Sequence, residues 1–288
     1  MTIDRDGRQD NGIPPVALDA MNADSMGPME SRVFPVALVR WPDAIELSGY
    51  CASAKMTPVL VESIVRATED AIGEPIRHST RNTFPKPLEL AIQDEVALAW
   101  QAPKRVLNLS NQLSRANHVS ISANRFPRPI GGAYPADWAQ FTICIRAGAP
   151  DALNVLERIR DYAGLGGAFF ARADSPAWWD SWDRVKDRLP AMEQTRLRIP
   201  SEEGWAISER LGWINYFGPR AVEELGLTGS ATELGVEKIE DTADGARLLW
   251  LTKAPFDFDD EAHRRRYLAL MDRLEPHRNA GTPVRKVL

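Results

Sequence analysis

The chain has 288 residues, of which 44% are apolar and 26% charged, a globular composition long enough for one large domain or two modest ones. Its 35 Lys and Arg against 40 Asp and Glu leave a formal charge of −5, without the basic excess of a dedicated nucleic-acid binder. No stretch reaches the roughly 18 to 20 continuous apolar residues of a membrane span, and MTIDRDGRQDNG lacks the basic start and apolar middle of a secretion signal, so a cytoplasmic location is expected.

Residues 1–31 mix Asp, Asn, Gly, Met and two adjacent prolines without an apolar period, and they read as a disordered tail. From Val33 to Trp41 a β-branched and aromatic run ended by Pro42 predicts a strand. Thr57 followed by Pro58 predicts a helix start, Val61, Ile64, Val65, Thr68 and Ile72 share one face, and Gly73 supplies the stop. Arg105–Ser110, His118–Ala123 and Phe141–Ala147 read as strands, while Leu88–Trp100 fits either a strand or a helix. Phe126–Pro135, with three prolines and two glycines, reads as a loop and as the boundary between an N-terminal half (32–135) and a C-terminal half (136–288).

In the second half, Asp151 caps a helix whose stripe runs from Ala152 to Ala163, ended by Gly164, and Gly167–Ala173 follows as a strand. Ser175 and Pro176 open a helix with Trp178, Trp182, Val185 and Leu189 on one face, closed by Pro190. Leu211–Phe217 and Ala246–Thr252 read as strands, Pro219 starts a short helix, and a last helix begins near Asp260 with Tyr267, Leu270, Met271 and Leu274 inward. Strands and helices come in unequal groups, so the expected fold class is α+β, a mostly antiparallel sheet with packed helices. A strand and then a helix at 33–72 and again at 141–163 leave room for two similar αβ halves.

Two cysteines, Cys51 and Cys144, form no CxxC, and the four histidines show no HExxH, so neither a metal nor a cofactor is expected. The glycines at 164, 166 and 167 follow a helix and open a strand, the reverse of a phosphate cradle. An active site, if there is one, is assembled from dispersed residues, with His118, Asp137 and Cys51 among the candidates. Asp257, Asp259, Asp260 and Glu261 crowd the start of the last helix, where a cap accounts for one or two of them. Trp179 lies about 100° around its helix from Trp178, beside Asp180 and Asp183. An edge aromatic among carboxylates is the composition of a protein-binding patch. The expected partner-binding residues are therefore Trp179, Asp180, Asp183, Asp257, Asp259, Asp260 and Glu261. The consecutive Arg264, Arg265 and Arg266 fan around the helix and read as a solvated face.

LGWINYFGPRAVEELGL (211–227) and LLWLTKAPFDFDDEAHRRRYLALMDRLEPHR (248–278) place a Trp-x-Asn-aromatic strand, a short helix ending in Leu-Gly, an acidic connection, Leu-Thr-x-x-Pro-x-Asp-x-Asp and a helix carrying His263 in succession. This order resembles bacterial immunity proteins of polymorphic toxin systems, most nearly the immunity protein 52 group and related families, and covers about 80 residues. It departs from them at Glu275, Pro276 and His277, where such families finish on a Gly-rich turn. The resemblance implies a protein that neutralises one cognate protein toxin, often a nuclease, by non-catalytic occlusion. A homo-oligomer is compatible with it, and nucleic acid and membrane are not expected partners. The remaining readings are an enzyme with a dispersed active site and an adaptor of a secretion system. Acidic side chains at Glu223, Glu224, Glu233, Glu237, Glu240, Asp241 and Asp244 suit encounter with a basic nuclease.

Overall fold

The structure is a computed structural model that describes residues 44–80, 86–101, 106–111, 119–126, 138–146, 159–185, 196–204 and 206–278. The expected tail at 1–31, the strand at 33–41 and most of the 126–135 loop lie outside the described residues, as do 151–158 and Pro190.

The architecture is α+β, built on a large antiparallel sheet. The strands are β1 (Ala44–Ala52), β2 (His78–Thr80), β3 (Lys86–Pro87), β4 (Val106–Ser110), β5 (Val119–Phe126), β6 (Trp138–Arg146) and β7 (Phe170–Asp174). They continue with β8 (Arg196–Pro200), β9 (Ala206–Arg210), β10 (Ile214–Phe217), β11 (Lys238–Asp241) and β12 (Arg247–Trp250). Ten of them form one sheet in the order β11-β12-β10-β7-β1-β6-β5-β4-β2-β3, and β8 and β9 form a separate hairpin. β6 lies between β1 and β5, so the sheet runs unbroken across residue 135. From the central pair outward the two sides differ, one ordered β1-β6-β5-β4-β2-β3 and the other β7-β10-β12-β11.

The sequence reading misses β1, the strand that joins the two sides. AIELSGYCA is buried along most of its length, and the alternation of Ile45, Glu46, Leu47 and Ser48 stops at Gly49, which leaves too short a period to mark a strand. Gly49 is required at its centre: a Cβ there would sit 2.1 Å from the Phe141 ring, which crosses β1 at the paired position. The ambiguous segment at 88–100 resolves as a helix over Ile92–Gln101 that turns Val96 and Ala99 into the core.

The helices are α1 (Pro58–Ile72), α2 (Ile92–Gln101), α3 (Ile159–Gly166), α4 (Pro176–Val185), α5 (Pro219–Glu224), α6 (Ala231–Leu234) and α7 (Glu261–Arg273). α1 begins as expected, with the Thr57 hydroxyl accepting from Leu60 N, and ends on Gly73 in the left-handed region. α2 and α3 pack on α1, and the Tyr162 hydroxyl of α3 donates to Thr68 Oγ1 at 3.2 Å. The expected inward residues of the last helix, Tyr267, Leu270, Met271 and Leu274, are all buried.

Candidate partner-binding face

Two tryptophans one turn apart on α4 set the base of this face. Trp178 and Trp182 are buried as their spacing predicts and stack with ring centroids 6.0 Å apart. Phe258 stands edge-on to both at 5.3 Å and meets Tyr267 of α7 at 5.1 Å, and Phe256 adds a further edge contact at 4.7 Å. The Ser181 hydroxyl accepts from Phe258 N at 3.0 Å, so the 256–260 loop is hydrogen-bonded to α4 as well as packed on it. These aromatic contacts hold a loop that lacks regular structure of its own.

Above this base, carboxylates from two distant segments act on one guanidinium. Arg184 of α4 binds Asp259 through Nε at 2.9 Å and through Nη2, and its charge is held by Asp259, with Asp257 and Asp180 also close. The expected residues Asp180, Asp257 and Asp259 therefore all act on Arg184 although 77 positions separate Asp180 from Asp257; Asp180 and Asp259 are exposed and Asp257 is half-buried. Glu261, also exposed, pairs with Arg265 at 2.8 Å. Asp260 caps α7, accepting from Ala262 N at 2.8 Å and His263 N at 3.1 Å, and these N–H donors hold its carboxyl below the usual carboxylate range. His263 is spent internally, with Nδ1 accepting from Asp257 N and the ring stacked on Phe256. Arg264 directs Nη1 to Phe258 O. The surface thus stays net acidic after its internal pairs are made. Trp179 and Asp183 belong to α4, and their side chains lie outside the described residues.

The second acidic set is largely consumed by the fold. Glu224 pairs with Arg220, Glu237 with Arg266, Glu240 with Lys238 and Asp241 with Arg247. Glu233 completes a capping box with Ser230, and Asp244 accepts from Thr242. The run 264–266, read as a solvated face, has specific duties, since Arg266 Nη1 binds both Glu237 and Leu251 O.

Beneath α4 lies a charged group that sequence reading missed. Arg172 and Asp174 sit on β7, alternating with Ala171 and Ala173, a pattern that ordinarily marks a wet face; both are nonetheless buried. The β8–β9 hairpin and α4 close over them. Arg172 meets Asp174 at 3.5 Å and Glu209 of β9 at 3.8 Å, donates to Arg210 O at 3.4 Å and stands 5.7 Å from the Trp178 ring centroid. The Tyr50 hydroxyl donates to Glu209, and Asp174 accepts from Trp213 N at 3.0 Å. The two carboxylates differ. Burial works to raise Glu209, yet Arg172 and the Tyr50 hydroxyl outweigh it and hold Glu209 below its ordinary range. For Asp174 burial wins over Arg172 and the Trp213 amide, and the carboxyl is pushed up to about 7. Burial, then the Glu209 charge, keep Tyr50 protonated. Arg210 stacks 4.2 Å from the Trp182 centroid, and burial lowers it to about 10, so it remains a cation at neutral pH. This network ties the hairpin to the sheet and rigidifies the floor of the acidic face.

Of the dispersed candidates for an active site, Cys51 is fully buried in β1, while His118 and Asp137 lie outside the described residues. Among the described residues no three His, Cys, Asp or Glu gather to hold a metal ion, and no helix is long and apolar enough to cross a membrane. The chain matches no known family model and no curated protein.

Proposed function

We propose that this chain is an immunity protein, a non-catalytic inhibitor that binds a cognate protein toxin and occludes its working surface in the cytoplasm. The observation that carries the reading is the gathering of Asp180, Asp257 and Asp259 around Arg184, with Glu261 on the adjoining helix, over a base of interlocked aromatic rings. A preformed acidic surface on a rigid base binds a basic partner without paying to order its own side chains. A basic nuclease is the toxin class whose charge matches it.

The test expresses the adjacent reading frame with and without this protein, scores cell killing, and then measures co-purification. The probing variant is Asp180→Lys with Glu261→Lys. Both positions are exposed and neither caps a helix, whereas reversal of Asp260 removes the α7 cap and confounds binding with stability. Rescue by the wild type with at least tenfold weaker association of the double variant is expected. Rescue with undiminished binding by that variant removes this face from the account, and rescue without any complex replaces occlusion by an enzyme that reverses the damage.

A further inference from the structure

The acidic face is not the only charged feature. On another part of the surface the β8–β9 hairpin, α5 and the 3-10 turn at Glu275–His277 enclose a half-open cleft of about 400 Å³. Its walls carry Arg198, Arg220, Arg278 and His277 against a single carboxylate, Glu224. Three elements far apart in the chain thus bring three arginines to the lining of one cleft. An isolated bridge from Leu197 to Arg278 fixes the third relative to the hairpin.

These guanidiniums are positioned without being used up. Arg220 is held by Glu224 at 2.6 Å through Nε and by Glu202 O at 3.3 Å through Nη1. Arg278 is held by Met271 O at 2.8 Å through Nε and by Asp272 through Nη2. Arg220 Nη2 and Arg278 Nη1 keep their N–H donors among the described residues. Arg198 is exposed and makes no hydrogen bond or ion pair with any described residue. Planar forks set in this way match the oxygens of a tetrahedral oxyanion; Glu224 and Asp272 offset the charges of Arg220 and Arg278, and Arg198 supplies the cation that no described carboxylate opposes. A cleft of this volume admits a small molecule and not an extended polymer.

We propose that this cleft binds a small phosphate-bearing anion, a site independent of the acidic face. The phosphate group is gripped by Arg198, Arg220 and Arg278, and Glu224 orients Arg220 as a positioning residue. The shared chemistry has two sources, inorganic phosphate and the phosphate of a mononucleotide, and titration distinguishes them.

The full chain is titrated calorimetrically at low salt with inorganic phosphate, adenosine monophosphate, citrate and a single-stranded oligonucleotide. One of the two phosphate probes is expected to bind at one site, and Arg198→Glu to weaken it at least tenfold with an unchanged melting temperature, because Arg198 supports no other described group. Arg220→Lys, which keeps the charge and loses the fork, should weaken it severalfold. No saturable binding of either phosphate probe at millimolar concentration overturns the proposal, as does binding indifferent to Arg198→Glu. Tighter binding of citrate or of the oligonucleotide than of either phosphate probe overturns the assigned ligand class.

Discussion

Arg172 is the residue on which the interior depends most. It is a cation with its side chain 6% exposed, and it survives there because Glu209, held ionised, faces it and Asp174 lies alongside. Arg172→Met removes the cation and leaves two carboxylates against an apolar interior, a change of the kind that costs about 3–5 kcal/mol. Urea denaturation should show that loss, and a triple replacement of Arg172, Asp174 and Glu209 by apolar residues of similar volume should recover most of it. Asp174 predicts a distinct pH signature. Its folded pKa of about 7 lies above its ordinary 3.8, so its contribution to stability is complete below about 4 and is lost as pH rises through 7. Glu209 acts with the opposite sign, its contribution present above its ordinary 4.5 and lost as pH falls below that. From this pair, melting temperature should peak between about pH 4 and 4.5, and Asp174→Asn should flatten the decline from about pH 4.5 to 7 while leaving the acid limb intact. An unaltered decline in that variant would refute the assignment. None of this was legible beforehand: an Arg and an Asp on alternate strand positions look the same whether water or a hairpin lies above them.

The central element is β1, whose two neighbours, β6 and β7, come from residues 138–146 and 170–174. Its Gly49 leaves room for the Phe141 ring over the strand, so Gly49→Ala forces ring and strand apart. A cost of about 1–3 kcal/mol is expected from such overpacking, measured by chemical denaturation, with α1 content unchanged by circular dichroism. The helices were easier to foresee than the strands. Thr57, Pro58 and Gly73 bracket α1 through local chemistry, and Asp260 marks the start of α7 in the same way. β1 carries no such mark, because a strand has no cap and its alternation lasts only from Ile45 to Ser48. β8, β9 and β11 also escaped: RLRIP, AISER and KIED carry charged residues and lack the apolar runs that mark the equally short β7, β10 and β12.

On the scale of the molecule, charge is segregated. An acidic surface gathers over α4 and the start of α7, and a basic cleft opens between the β8–β9 hairpin, α5 and the last turn. A net charge of −5 conceals this arrangement completely. If the acidic surface meets a basic toxin, association should be steered by the field, so the rate of complex formation should fall at least tenfold between about 0.02 and 0.5 M salt while dissociation changes little. Stopped-flow mixing of the purified pair reads both rates, and a salt-independent association rate would assign the interface to apolar contacts instead.

Caps, helical stripes and the inward tryptophans of α4 follow from interactions between residues a few positions apart, and the amino-acid order was sufficient to place them. It was sufficient as well for the α+β class, because the grouping of strands excluded regular alternation. The placing of Asp180 and Asp257 about Arg184, the burial of Arg172 beneath a hairpin and the lining of one cleft by Arg198, Arg220 and Arg278 all required the folded chain. Each joins side chains from segments distant in sequence, and the distance between such groups is set by packing of the sheet and its covering layers, on which no local preference bears.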